Sequence, residues 1–518
     1  MRSVRMRILA LVLVLVAVGA AAWQLVPSEE DHGRTITVGT TDAVTSLDPA
    51  GAYDAGSWAL FSNLFQSLLT FEPGGTSPVP DAAESCEFTD SGLRTYRCEL
   101  RSGLTFPSGR EMTADDVKFS IERVLRINSD VGPAPLFDTL DGVSARGETV
   151  TFRLSAADAT FPYRLATGAG AIVDATKYPA NALRTDPGAD GSGPYLLSSY
   201  TRDTSAALTP NGDYRGAVER SSSPVELRYY TDSAALDRAY REREVQVATR
   251  QLPPDTVAGL SASDPDQRVS EADSSETRNL YLNTRKGSPL GDERVRQALA
   301  WLIDRDKLAA DVYKGTVDPL YSLIPAGITG HTTSFFDQYP TQDPGRARDL
   351  LTDAGVSLPL AFTLSYGQGR GAAAEEAAEL KRQLEADGLF RVTVKGYEWT
   401  EFQELWAAGK LDAYAVGWVA DYPDPDTFGA PLVGTGSTMN TGYSDKTVDR
   451  LIKEGQRYAD RGRAADDFSD LQDLVARDAP VIPLWQRKEY VVADEAVGGG
   501  QDLTDGTGVF RLWRLDWI

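Results

Sequence analysis

The chain has 518 residues, of which 42% are hydrophobic and 25% charged, and its formal charge is −23. At roughly 100–200 residues per domain this gives two or three domains with ample core, and the composition is that of an ordinary soluble globular protein. The acidic balance argues against a nucleic-acid phosphate backbone as partner and favours cationic or zwitterionic ligands.

Met1 to Val26 reads as a targeting segment. Arg2, Arg5 and Arg7 precede the apolar run Ile8–Trp23, and Gly19-Ala20-Ala21-Ala22 offers small residues to a signal peptidase. The run is long for a signal and short for a spanning helix of roughly 20 residues, so cleavage and an uncleaved anchor are both open. In either case the arginines stay in the cytoplasm and the rest is exported.

Thr35–Gly39 is a short β run, and Trp58–Phe71 is apolar and helix-like. Glu72–Pro80, rich in Gly and Pro, looks like a boundary. The only cysteines, Cys86 and Cys98, flank the turn Asp90-Ser91-Gly92. In an exported chain, two cysteines facing across a hairpin predict a disulfide. With the only histidines at His32 and His331, little is left for a Cys/His metal site, and no metal or cofactor is expected.

Thr113-Ala114-Asp115-Asp116 is a capping-box pattern. Val117, Ile121, Val124 and Leu125 follow on one helical face and read as core. Gly191-Ser192-Gly193-Pro194 is a second break, with strand-like stretches to about Leu282. Asp292–Gly315 reads as one helix, stopped by Gly315. From there strands and helices alternate: strand Ala361–Tyr366, helix Ala372–Asp387, strand Arg391–Lys395, helix Glu401–Ala408 with Thr400 as cap, strand Leu411–Trp418. This is an α/β pattern with a parallel sheet and helices on its faces.

The last strand runs into Gly417-Trp418-Val419-Ala420-Asp421-Tyr422-Pro423-Asp424-Pro425-Asp426. Pro423 and Pro425 exclude a helix here. The stretch puts an indole, a phenol and several carboxylates at a strand end, where ligands bind in such sheets. That set suits a ligand with a positive charge and some apolar surface. An acidic surface turn is the competing reading.

Enzyme signals are weaker. Gly367-Gln368-Gly369-Arg370-Gly371-Ala372 matches a dinucleotide fingerprint, with Glu398 after the next strand as the ribose partner. An exported chain has little access to such cofactors, and Gly-rich strand–helix loops are common. A Ser/His/Asp site has one available base, His331, and no nucleophile elbow is visible. A carboxylate-pair hydrolase has acids in plenty but no pair singled out.

The ordered motifs resemble one family. Leu47-Asp48-Pro49, Pro78-Val79-Pro80-Asp81-Ala82-Ala83-Glu84-Ser85, Leu100-Arg101-Ser102-Gly103-Leu104-Thr105-Phe106, Thr113–Val117 to Arg123, Gly191–Tyr195, Val295–Leu299 with Ile303-Asp304-Arg305, and Gly417–Pro425 look like extracytoplasmic solute-binding proteins of the peptide/nickel type, family 5. The resemblance covers essentially all of the chain after the targeting segment. It implies a two-lobed periplasmic-binding-protein-like fold with an extra inserted domain, which closes on its ligand and delivers it to an ABC permease without catalysis. Lobe I takes about 34–71, 192–283 and 487–518, the inserted domain 72–191 and lobe II 284–486. The hinge is expected near Gly191–Pro194 and Asn283.

In oligopeptide-binding relatives the Asp of the Gly-Trp-x-Ala-Asp stretch binds the peptide's amino terminus. That position is Asp421, beside Trp418 and Tyr422. The segment after Leu-Asp-Pro meets the peptide backbone, here about Tyr53, Asp54 and Ala55. Two departures stand out. Some members place an Arg, two residues before that Gly, against the peptide carboxylate, and here it is Ala415. Many Gram-positive members carry a lipid-modified Cys after the signal, and this chain has none. The expectation is a monomeric receptor for short peptides, working with a membrane permease and binding no nucleic acid. An oligosaccharide or metal chelate as ligand, an exported carboxylate-dependent hydrolase, and a sensor presenting bound peptide are the alternatives.

Overall fold

The computed structural model describes residues 33–219, 223–504, 507 and 510–518. The targeting segment Met1–Val26 and His32 lie outside the described residues. No helix among the described residues is long and apolar enough to cross a membrane.

Ten strands and a three-residue piece, Val317–Pro319, form one sheet. In chain order they are β1 (Ile36–Thr40), β6 to β9 (Tyr195–Thr201, Ser205–Pro210, Val225–Tyr229, Val247–Thr249), β10 (Gln267–Leu282), β11 (Leu360–Gly367), β12 (Phe390–Tyr397), β13 (Ala413–Trp418) and β14 (Val481–Asp494). Their order across the sheet is β12-β11-β13-β10-β14-β9-β1-β8-β7-β6. The alternation read after residue 360 is present: β11 pairs in parallel with β12 and β13. The intervening helices are α5 (Ala373–Glu385) and α6 (Trp399–Ala407). A separate sheet is formed by β2 (Ala83–Phe88), β3 (Thr95–Leu100), β4 (Leu140–Arg146) and β5 (Thr149–Leu154), in the order β2-β3-β5-β4. Cys86 on β2 stands opposite Cys98 on β3, and the two are bonded at 2.04 Å.

Apolar burial separates into two large cores. The first gathers residues from β1, α1 (Ala55–Leu64), the four-stranded sheet, α2 (Ala114–Ile127) and the C-terminal residues Phe510–Leu515. The second runs from Leu280 to Trp485. The chain passes between them inside β10 and returns inside β14, which pair along most of their length. Their register shifts between Asp273 and Thr277, an irregularity that kinks a strand. Neither of the expected hinge sites lies at this crossing. A Cβ on Gly193 would sit 2.5 Å from the Asn63 carbonyl, inside the first core. Asn283 donates its amide to Asp412 and its side chain to Leu411, inside the second.

The long helix expected over 292–315 is broken. α4 covers Glu293–Ala300. Asp304 then turns its carboxylate onto the Lys307 amide and starts a new turn, a capping interaction that competes with helix continuation. α2 starts as read, with Thr113 and Asp116 closing a capping box.

Candidate functional site

Between the cores lies a cavity of about 180 Å³. Strand ends build it from several directions. The end of β13 brings Trp418 and Asp421, the loop before α1 brings Tyr53 and Asp54, and Ala55 opens that helix; all five line the cavity.

Asp421 is 5% exposed. The Tyr53 hydroxyl donates to its Oδ2 at 2.6 Å and Thr427 Oγ1 donates to the same atom at 3.1 Å. Both donors are neutral. Burial therefore dominates and pushes the carboxyl up to about 7, against the lowering effect of these two donors and of Arg164. Tyr53 is raised well above its ordinary value by burial and then by Asp421, so it remains a donor. Its ring meets Trp418 edge-on at 5.9 Å. Trp418 is buried, and its indole N–H has no hydrogen-bond partner among the described residues.

The other two residues of the Tyr53–Ala55 segment have local duties as well. Asp54 caps α1, accepting from the Ser57 amide at 2.8 Å and the Ser57 hydroxyl at 3.0 Å. Burial raises its pKa. Ala55 keeps that helix start free of bulk at the cavity wall. Tyr422 is placed differently. It does not line the cavity but packs in the first core at 1% exposure. There its hydroxyl donates to Asp426 at 2.9 Å and meets Arg164 Nε at 3.4 Å.

Several charged residues that the sequence did not single out converge here. Arg250 pairs with Asp42 at 2.9 Å, Arg487 with Glu276 at 2.7 Å, and Arg278 with Glu376 at 2.8 Å. Glu376 also accepts from Trp485 Nε1 at 2.7 Å and the Tyr313 hydroxyl at 2.9 Å. Glu489, 4% exposed, is pushed up to about 7 by burial. A signal for part of this set existed: Trp485, Arg487 and Glu489 alternate on β14 and so share one face. Of the four lining arginines, Arg370 differs. It stacks on Trp399 at 4.0 Å, it has no carboxylate within ion-pair distance among the described residues, and burial lowers its pKa.

Arg370 stands in the glycine-rich loop read as a possible dinucleotide fingerprint. That loop is already engaged: Gly371 donates its amide to Ser233 Oγ at 2.8 Å, and the Gly369 carbonyl accepts from the Ser233 amide at 3.2 Å. Glu398, the candidate ribose partner, caps α6 by accepting from the Thr400 amide at 2.9 Å. The helix cap is thus Glu398, not Thr400. His331 bonds the Ile324 carbonyl through Nδ1 at 2.7 Å. Among the described residues no His/Cys/Asp/Glu group is placed to hold a metal ion. Ala415 is buried between Leu280 and Tyr366 and does not reach the cavity.

Residues 77–440 match the family model described as bacterial extracellular solute-binding proteins, family 5 Middle. The chain is 29% identical over 508 residues to "Di/tripeptide-binding protein 2" of Pseudomonas aeruginosa (strain UCBPP-PA14), covering 91% of this chain and 92% of that protein. Among solved structures, the dipeptide-binding protein from Pseudoalteromonas sp. SM9913 in complex with Met-Leu superposes with a TM-score of 0.84, at 20% identity, over 94% of this chain and all of that one. AgaA from A. tumefaciens R10 in complex with agropinic acid gives 0.84 at 19% identity, over 94% of this chain and 99% of that one. At such identities the two structures establish the fold, which is two-lobed in this family.

Proposed function

The chain belongs to the bacterial extracellular solute-binding proteins of family 5, which are transport receptors and not enzymes, and on that premise we propose that it binds short peptides and hands them to an ABC permease. The observation that carries this reading is Asp421. A buried carboxylate that takes only neutral donors is electrostatically incomplete, and a peptide ammonium completes it. Trp418 excludes water beside it and packs the first apolar atoms of the solute.

Arg370 supplies the complementary end. It is a partly buried cation with no carboxylate within ion-pair distance among the described residues, on the loop that follows β11, and it supplies at the cavity the cation that Ala415 does not. A zwitterion with its charges separated by a short backbone satisfies both groups. The relatives named for di- and tripeptides support that choice over a sugar. Closure bends β10 and β14 at the register shift near Asp273–Thr277. On this reading lobe I combines 34–71, 192 to the crossing in β10 near 277, and 487–518, with 72–191 as the inserted domain and the chain from that crossing to 486 as lobe II. The receptor acts as a monomer on the outer face of the membrane, held there or released by residues 1–26. N-terminal sequencing of the exported protein separates the last two cases: a start near Trp23 means release and an intact Met1 means an anchor.

Mass spectrometry of the solutes that co-purify with the protein tests the ligand class. Masses of di- and tripeptides are expected. A single sugar, opine or metal chelate in their place overturns the peptide assignment.

A further inference from the structure

Tyr422 is a residue of the second half of the chain packed in the first core. Its neighbourhood is built of charge. Arg164, on the short helix α3 (Phe161–Leu165), lies 2.9 Å from Asp426 Oδ2, and also 3.1 Å from Asp138 and 3.2 Å from Asp158. Thr160 Oγ1 reaches Asp426 at 3.2 Å, and the Ala159 amide donates to the Gln456 carbonyl at 2.7 Å. Arg164, Asp158, Tyr422 and Asp426 are all at most 3% exposed. One side of this network belongs to the first core and the other to the polypeptide of the second.

We propose that the Tyr422–Asp426 turn is a closure latch, seated on Arg164 only while the cleft is shut on a solute, and that Arg164 and Asp426 are positioning residues that set how long the solute stays. Three features of the geometry support a reversible seat over a permanent one.

First, each partner of the network keeps polar contacts on its own side when it divides. On separation Arg164 keeps Asp138, Asp158 and the Leu136 carbonyl at 3.1 Å. Asp426 keeps the Tyr422 hydroxyl at 2.9 Å and Gln456 Nε2 at 3.0 Å. A buried pair broken by removing one partner leaves an uncompensated charge; here Arg164 keeps two carboxylates, and Asp426 keeps two neutral donors and the nearby cation Arg461. Second, the turn is braced from its own side. Arg461 grips Asp424 with Nε at 2.7 Å and Nη2 at 2.8 Å, so the turn can move as a unit. Third, the latch is coupled to the solute. The Asp421 amide donates to Thr427 Oγ1 at 3.1 Å, and that hydroxyl returns a bond to Asp421 Oδ2 at the same distance. Thr427 is the second residue of α7 (Asp426–Val433). The carboxylate that faces the cavity and the carboxylate that faces Arg164 are therefore joined within one helix start.

The latch rests on the two-lobe closure proposed above and not on the ligand being a peptide. Two measurements on the full chain decide it. The first needs no ligand: hydrogen exchange of urea-stripped, refolded wild type, followed at residues 159–164. An open latch predicts exchange faster there than in β5, where amides stay in the sheet. Protection equal to that of β5 overturns the proposal, because the contact is then permanent. The second uses the dipeptide Ala-Leu as probe, with dissociation followed by tryptophan fluorescence. Asp426→Asn is expected to speed dissociation roughly thirty-fold while association changes little, since losing one member of a buried charge pair acts on the off-rate. Tyr422→Phe, the milder change, is expected to act in the same direction and to less effect. An unchanged off-rate in both variants overturns the latch. A wild type that binds no Ala-Leu overturns the peptide reading alone, and the exchange measurement then decides the latch by itself.

Discussion

Asp421 and Asp426 sit five residues apart in one turn, both nearly inaccessible, and the protein treats them in opposite ways. Asp426 is ion-paired with Arg164, and the cations Arg164 and Arg461 together with its hydrogen bonds outweigh burial and lower its pKa. Asp421 has only hydroxyl donors, so burial wins and its pKa rises to about 7. The difference teaches that burial alone does not mark a binding carboxylate. A structural acid has its counter-charge built in; a receptor acid waits for one to arrive. Arg250, Arg278 and Arg487 against Arg370 repeat the contrast for cations.

The sharpest way to break that comparison is to remove the unpaired cation. Arg370→Gln is expected to weaken a free dipeptide by roughly 2–5 kcal/mol, as loss of a buried charged partner does, and to leave a C-terminally amidated dipeptide nearly unaffected. Calorimetry with the two ligands checks it. Equal losses for both would return Arg370 to a structural role.

Tyr53→Phe removes one of the two neutral donors on Asp421. A hydrogen bond to a charged group contributes about 1.5–3 kcal/mol, and affinity for a free-amine dipeptide should fall by that amount in the same titration. An unchanged affinity would mean that the Tyr53 bond exists only without ligand.

The remaining effect is on pH. On the closure proposed above, opening hydrates Asp421 and returns it to an ordinary carboxyl value of about 3.9, whereas buried as it is here it stands at about 7. Closure without ligand therefore takes up a proton. Its cost is absent below about pH 4, grows by up to about 1.4 kcal/mol per unit as pH rises toward 7, and is fully present above. Ligand-stripped protein should show a larger radius of gyration by small-angle scattering at pH 8 than at pH 5. In Asp421→Asn the dependence should shrink to the share of Glu489, which is also raised to about 7. A radius independent of pH in the wild type would contradict the assignment.

Local patterns carried much of this into the sequence. The parallel β11–β13 unit was legible because strand and helix periods alternate there, and Asp421 because two prolines hold a strand end open. The hairpin disulfide was legible because both cysteines flank one turn. Long-range choices were not legible. Nothing local separates Asp421 from Asp426, since the difference lies in Arg164, some 260 positions away in the chain. Tyr422 reads as part of the same aromatic-acidic cluster, yet its ring finds the other core. Arg370 was hidden in a glycine loop that invited a nucleotide reading. The hinge was sought at Gly and Asn breaks, whereas two long paired strands carry it in the reading proposed here. The helix over 292–315 kept its apolar face on paper, but the Asp304 side chain ends that register.

The central claim is that Asp421 waits for an ammonium. Asp421→Asn keeps the shape and removes the charge, so calorimetry of wild type and variant, each with a free-amine dipeptide and its N-acetyl form, tests it most directly. The account predicts that the substitution costs the free-amine ligand about 2–5 kcal/mol and the acetylated one far less. Equal affinities in all four combinations would show that Asp421 is a buried structural acid like Asp426.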